Sequence, residues 1–336
     1  MRLLVTGGAG FIGSNFIHFI LKNRPEWNIV NFDYLTYAGN LANLEDISDS
    51  NNYRFVKGDI TDPDDVKNIF SNSFDYVINF AAESHVDRSL YDPALFLQTN
   101  ILGARLLLDY ALETGAKRFL QISTDEVYGS LGSEGYFSEK SPLLPNSPYA
   151  ASKASADLIC RSYFKTFEMP VVITRAGNNY GPYQFPEKLI PFFITRALND
   201  EHLPLYGDGL NVRDWLYVED HCRGILAALE KAEDGEIYNL GGSNEMTNME
   251  ITKSILNFLN KPESLIKHVK DRPGHDRRYA LDSAKAKEKL GWQPEMDFTE
   301  GLAKTIKWYC DNDKWLHDVQ SGEYQKFYKI HYRERS

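Results

Sequence analysis

The sequence predicts an α/β protein. It should hold a doubly wound, mostly parallel sheet with helices on both faces, and a smaller α/β lobe formed by its second half. Two observations lead there. Through the first half, short β-rich apolar runs alternate with segments of helical period. A glycine-rich turn then follows the first run directly and opens a helix.

The elements follow in order. Residues 3–6, 29–32, 53–56, 76–80, 119–122 and 171–174 are the apolar, β-rich runs. Residues 11–22, 95–112 and 150–167 carry apolar side chains at helical period. In the second half Pro182, Pro186, Pro191 and Pro204 break the pattern into shorter pieces. Helical signals return at residues 189–198, 220–231, 248–259 and 299–309, and residues 236–240, closed by Gly241-Gly242, read as one more strand. The expected division is a main domain over residues 1–176 and a lobe over residues 177–336, with the strand near 236–240 returning to the main sheet.

Composition narrows the function. The 336 residues are 43% hydrophobic and 25% charged, enough to bury a normal core without disulfides or metals. A formal net charge of -10 argues against a nucleic-acid partner, which would call for a basic stripe. It does not exclude an anionic small molecule, since a few local arginines suffice for that. Cys160, Cys222 and Cys310 are odd in number and widely spaced, so neither a disulfide framework nor a zinc site is expected. No apolar run reaches the length of a membrane span, and the apolar start is cut short by Thr6-Gly7-Gly8. A cytoplasmic protein is the expectation.

Gly7-Gly8-Ala9-Gly10-Phe11-Ile12-Gly13 supplies what a pyrophosphate needs: a tight turn, close backbone approach and a helix N-terminus. A glycine pattern alone is also an ordinary turn. Here Asp33 ends the second strand 20 residues after Gly13. A carboxylate there accepts from ribose hydroxyls and repels a 2′-phosphate, which favours NAD over NADP. The main domain is therefore expected to be Rossmann-type. Asp59-Ile60, after the third strand, reads either as a flank for the adenine or as a strand-end cap.

Tyr149 and Lys153 lie four residues apart, on one face of a helix that starts after Asn146-Ser147-Pro148. A cation beside a phenol lowers its pKa and makes phenolate a usable base. Tyr53/Lys57 and Tyr136/Lys140 share the spacing, but the first lies in a strand and the second in a polar loop. The fifth strand runs into Ser123-Thr124-Asp125-Glu126, at the carboxyl end where ligands of open parallel sheets bind. The same four residues also read as a helix cap.

Together these motifs resemble the extended short-chain dehydrogenase/reductase family, which Arg213-Asp214-Trp215-Leu216-Tyr217-Val218 and Leu290-Gly291-Trp292-x-Pro294 also fit. More narrowly the chain is similar to the dTDP-glucose 4,6-dehydratases of that family. The segments that carry this are 81–89, Thr124-Asp125-Glu126-Val127-Tyr128-Gly129, 178–184 and 272–279. The resemblance covers most of the chain, to about Trp308.

It implies oxidation of the sugar at C4 by NAD, loss of water across C5–C6, and hydride return to C6. Tyr149 would act as phenolate, with Lys153 beside it and Thr124 on the same oxygen; Glu126 would take the C5 proton and Asp125 protonate the leaving hydroxyl. Because NAD ends as it began, a site that keeps its cofactor is favoured. The implied cofactor contacts are Gly7, Gly10, Phe11, Ile12, Gly13, Asp33, Thr36, Asp59, Ile60, Ala81, Ala82, Thr99, Tyr149, Lys153 and Asn179. The implied substrate contacts are Ser84, His85, Thr124, Asn178, Lys188, Leu189, Pro204, Tyr206, Arg213, Asn248, Arg272, His275 and Tyr279. Arg213 and Arg272 are the guanidinium forks for a pyrophosphate, although a lone arginine is more often a surface ion pair. His85 reads equally as a capping histidine. No metal is implied. The resemblance further implies a homodimer packed through residues 95–112 and 150–167, which also read as ordinary cover for the sheet.

Three rivals share part of this pattern. A nucleotide-sugar 4-epimerase needs no Asp125-Glu126 pair. A GDP-mannose 4,6-dehydratase would use NADP, which Asp33 disfavours. A non-catalytic NAD-sensing protein would not need Tyr149, Lys153 and both acids.

Overall fold

The computed structural model describes residues 1–271 and 274–320. The strands, in chain order, are β1 (Arg2–Thr6), β2 (Asn28–Asp33), β3 (Tyr53–Lys57), β4 (Tyr76–Asn79), β5 (Arg118–Thr124), β6 (Val171–Ala176), β7 (Asn178–Tyr180), β8 (Leu203–Tyr206), β9 (Val212–Tyr217), β10 (Ile237–Leu240), β11 (Glu245–Thr247) and β12 (Ile266–Val269). The main sheet runs β10-β6-β5-β4-β1-β2-β3, and every pairing in it is parallel. The strand order reverses between β1 and β4, so the carboxyl ends of these two strands open a crevice.

Each face of the sheet carries its own apolar layer. On one, Phe16, Ile17 and Ile20 of the helix Phe11–Asn23 pack with Leu3, Val5, Ile225 and Leu229. On the other, Leu107 and Ala111 pack with Leu4, Val77, Phe119 and Cys160. Burial on both faces explains why these strands read as near-continuous apolar runs. The helix Val218–Lys231, β10 and the helix Ala284–Leu290 all join the main-sheet layers, so the chain returns there over more than the strand expected near 236–240.

The second lobe is built from short pieces. β9 lies between β7 and antiparallel β11, and β8 pairs with β12. The helices Leu189–Leu198, Asn248–Phe258 and Phe298–Asp311 close around a core that includes Ile194, Ile255, Leu302 and Tyr309.

The expected helix over residues 95–112 runs from Pro93 to Glu113 in three consecutive pieces. Its middle, Gln98–Gly103, winds wider as a π-turn, a distortion that concentrates at functional sites. No described helix is long and apolar enough to cross a membrane.

Candidate active site

A single cavity of about 710 Å³ runs from the glycine loop to the second lobe along the carboxyl ends of the main-sheet strands. Of the residues expected to hold cofactor, Gly7, Gly10, Phe11, Ile12, Gly13, Asp33, Thr36, Asp59, Ile60, Ala81, Ala82, Thr99 and Asn179 all line it, as do Tyr149 and Lys153. Of those expected to hold substrate, Ser84, His85, Thr124, Asn178, Lys188, Leu189, Pro204, Tyr206, Arg213, Asn248 and His275 line it too. Arg272 lies outside the described residues. Tyr279 falls outside the lining. Its ring lies 4.4 Å from the Arg213 guanidinium and its hydroxyl donates to Asp276 at 2.5 Å, so it stands behind Arg213 rather than at the surface of the cavity.

The glycine loop is shaped for a close-lying ligand. Gly7 has φ 68°, and a Cβ on it would fall 2.6 Å from the Ala81 nitrogen. A Cβ on Gly13 would sit 2.4 Å from the Gly7 carbonyl oxygen, so the turn and the helix meet only because both lack side chains. The helix Phe11–Asn23 starts at Gly10 with no side-chain cap and no acid in its first turn, which leaves its N-terminal donors for an anion. Asp33 accepts from the Ala9 nitrogen at 2.9 Å and the Leu35 nitrogen at 2.8 Å. Burial nonetheless raises its pKa. These features fit a dinucleotide. Thr99 enters the lining from the π-turn, which shifts side-chain directions by about one position.

The acids sit where β5 ends. Asp125 is 2% exposed and Thr124 Oγ1 donates to its Oδ1 at 3.1 Å, while its Oδ2 has no hydrogen-bond partner among the described residues. Burial first, and then the Glu126 charge, push its pKa well up, which favours the protonated acid. Thr124 Oγ1 also accepts from the Glu126 nitrogen at 3.2 Å and caps the single turn Asp125–Tyr128. Both sequence readings of this run therefore describe Thr124: it caps, and it faces the cavity.

Ser147 caps the helix Pro148–Phe167 through the Ala150 nitrogen and so sets where Tyr149 and Lys153 stand. Lys153 Nζ donates to the Ile122 carbonyl oxygen at 2.6 Å, and burial brings its pKa down to about 8, against the opposing pull of Asp157. Tyr149 is pushed up rather than down, by burial and then by Glu126 and Asp125, with a bond to Thr124 working the other way. A helical i,i+4 spacing brings the two side chains to one face, where the backbone carbonyl of Ile122 in β5 also holds the ammonium.

Several side chains on the substrate side are tied to one another. Lys188 Nζ donates to the Ser84 oxygen at 2.8 Å. His85 caps the helix Val86–Tyr91 through Nδ1, as its bland reading had it, and its Nε2 lies 3.7 Å from Glu187. Tyr206 donates to Asp87 at 3.2 Å, and His275 meets Asp271 at 2.6 Å. Arg213 is 5% exposed and donates to the backbone carbonyl oxygens of Asp276 at 2.9 Å and Val212 at 2.8 Å, so its guanidinium is buried rather than on the surface.

Sequence reasoning missed Glu83, Asp87, Gln184, Glu187, Trp215 and His221, all of which line the cavity. Burial raises Glu187 to about 7 and lowers His221 to about 3. Glu83, Asp87, Gln184, Glu187 and Trp215 lie inside or beside motifs already singled out, and that adjacency was the available signal. His221 had none, because its partner Asn179, 2.9 Å from Nδ1, is far away in sequence.

The model of the family described as GDP-mannose 4,6 dehydratase matches residues 4–305. The chain is 50% identical over 94% of its length to the whole of the low-salt glycan biosynthesis protein Agl12 of Haloferax volcanii. It is 45% identical, over all of both chains, to a dTDP-glucose 4,6-dehydratase of Salmonella typhimurium. A double mutant of DesIV, a dTDP-glucose 4,6-dehydratase from Streptomyces venezuelae solved with NAD bound, superposes with a TM-score of 0.93 at 48% identity, covering 95% of this chain and 100% of that one.

Proposed function

This chain belongs to the GDP-mannose 4,6 dehydratase family, and we propose that within it the protein dehydrates dTDP-glucose to dTDP-4-keto-6-deoxyglucose, a precursor for deoxysugars such as rhamnose. The observation that carries the reading is the buried carboxyl of Asp125, its Oδ2 without a hydrogen-bond partner among the described residues, next to Glu126 in the cavity that also holds Tyr149 and the glycine loop.

NAD, when bound on the glycine loop, supplies the acceptor for the C4 hydride and its donor back to C6. The chain's own residues manage the protons. Tyr149 takes the proton of the 4-hydroxyl, and Thr124, which bonds to the phenol, holds the same oxygen. Lys153, one turn on, contributes the positive charge that a phenolate needs in a buried site crowded with acids. Oxidation at C4 makes the C5 proton acidic. Glu126 removes it, and Asp125 gives its proton to the C6 hydroxyl, which leaves as water. A proton then returns to C5. Adjacent acids in a closed site cannot both ionise easily, so the assignment of base and acid follows their environments. Arg213 holds the pyrophosphate, and Lys188, His275 and Asn248 bound the nucleotide end.

The acid pair is what separates this reading from a 4-epimerase, which has no water to eliminate. Asp33 separates it from an NADP enzyme. A homodimer belongs to the proposal: Leu95, Leu102 and Leu158 are exposed on the helices that would pack against a second copy, and light scattering would report its mass. The free thiols Cys160, Cys222 and Cys310 fit a cytoplasmic setting.

The deciding experiment incubates the purified protein with dTDP-glucose and follows the mass and configuration of the sugar. Loss of one water without net cofactor reduction is expected. An unchanged mass with inverted C4 would mean an epimerase.

A further inference from the structure

Dehydration of this kind requires that the cofactor stay put between taking a hydride and returning it. If it left in between, an oxidised sugar would be stranded. Among the ties that join the main domain to the second lobe across the cavity, one lies beside the cofactor turn. The loop after β2 lines the cavity through Tyr34, Thr36, Ala38 and Gly39, and the second lobe lines it through Phe185 and Glu187. Tyr37, in the middle of that loop, joins the two. Its hydroxyl donates to Glu187 Oε1 at 3.1 Å, and its ring meets Phe185 edge-on at 5.7 Å. The Arg88 guanidinium lies 3.5 Å from the ring centroid on its face.

The loop is anchored at its other end to the glycine turn itself. The Asn40 nitrogen and Asn43 Nδ2 both donate to the Ala9 oxygen, at 3.0 and 2.9 Å. At its start, Leu35 sits at φ 59° with its nitrogen held by Asp33. A chain pinned on the cofactor turn and fastened to the second lobe must cross the space between them. The Glu187 side chain is 2% exposed, so water does not readily replace the tyrosine as its donor.

We propose that Tyr37, fastened to Glu187 and stacked under Arg88, is the latch that retains the dinucleotide through the catalytic cycle. It is a positioning residue and touches no reacting atom. The inference rests on the proposed function for the reason retention is needed, but its test does not.

The test loads the full-length protein with radiolabelled NAD, removes free label by gel filtration, and chases with excess unlabelled NAD. Tyr37→Phe keeps the ring and removes only the fastening. It should release label roughly tenfold faster, the worth of one buried hydrogen bond. Its kcat with saturating NAD should stay within about twofold of the unaltered chain, whereas turnover without added NAD should fade. Arg88→Met keeps the stem, loses the guanidinium and should release at an intermediate rate; it decides the matter if Tyr37→Phe does not fold. Equal exchange rates in variant and unaltered protein overturn the latch, as does a loss of kcat that added NAD does not restore. If the unaltered chain holds NAD but leaves dTDP-glucose unchanged, the proposed function falls while the exchange rates still decide the latch.

Discussion

The glycine loop at residues 7–13 and the end of β5 at residues 124–126 face the same cavity and work by opposite means. The loop acts through what it lacks. Its backbone approaches Ala81 and its own first turn so closely that a Cβ on Gly7 or Gly13 would collide, and its helix leaves its donors uncapped. The β5 end acts through side chains, and their chemistry depends on burial: burial and the adjacent Glu126 push the Asp125 pKa well up. A binding loop of the first kind tolerates no added atoms. A reacting site of the second kind accepts isosteres without disturbing the fold but loses its proton transfers with them.

That contrast can be broken, and the largest effect should come from the loop. Gly13→Ala places a methyl 2.4 Å from the Gly7 oxygen and forces the turn open. NAD affinity, measured by calorimetry, should fall roughly a hundredfold, with activity following it. Unchanged affinity would mean that the turn does not carry the pyrophosphate.

Next in size come the acids. Asp125→Asn and Glu126→Gln should each slow elimination by about 10²–10⁴-fold while NAD stays bound. Exchange of the C5 proton with deuterated solvent separates the two. Glu126→Gln should abolish exchange, and Asp125→Asn should permit it without loss of water. Weakened NAD binding in either variant would erase the distinction between loop and acids.

A smaller effect is expected at Asp33, which accepts two backbone donors beside the cofactor loop. Asp33→Ser should raise the use of NADP relative to NAD by roughly tenfold in a cofactor-binding assay. No change in the ratio would remove Asp33 from cofactor selection.

The smallest effect is on stability. A carboxyl whose folded pKa lies above its unfolded value of about 3.9 binds its proton more tightly in the folded state. Stability then falls as pH rises from that value through the folded one. Asp125→Asn lacks this cost, so its melting temperature should exceed that of the unaltered chain by a margin that widens from pH 4 to pH 7. A constant margin would mean that Asp125 is ionised in the fold.

Part of this was legible from one dimension. The runs that became β1, β4, β5 and β6 read as apolar because a parallel sheet under two helical layers buries both of their faces, and the helices between them keep their period. The glycine loop, Asp33, Ser147-Pro148 and Thr124-Asp125-Glu126 were readable because each sits at a junction of strand, turn and helix whose chemistry is local. The second lobe was less so: β7, β8, β9, β11 and β12 are three to six residues long, too short to show a period.

What only the tertiary structure decided are the relations between segments far apart in the chain. The ammonium of Lys153 is held by the Ile122 carbonyl of β5, a segment well apart from it in the chain. Tyr279 withdraws behind Arg213, and His221 finds Asn179. Tyr37 meets Glu187 across 150 residues of chain. Local backbone chemistry is written in neighbouring residues, and the sequence by itself determined the sheet, the glycine turn and the place of Thr124-Asp125-Glu126 at the end of β5. Burial and charge depend on what the fold brings alongside, and those set which acid keeps its proton and which tyrosine closes the door.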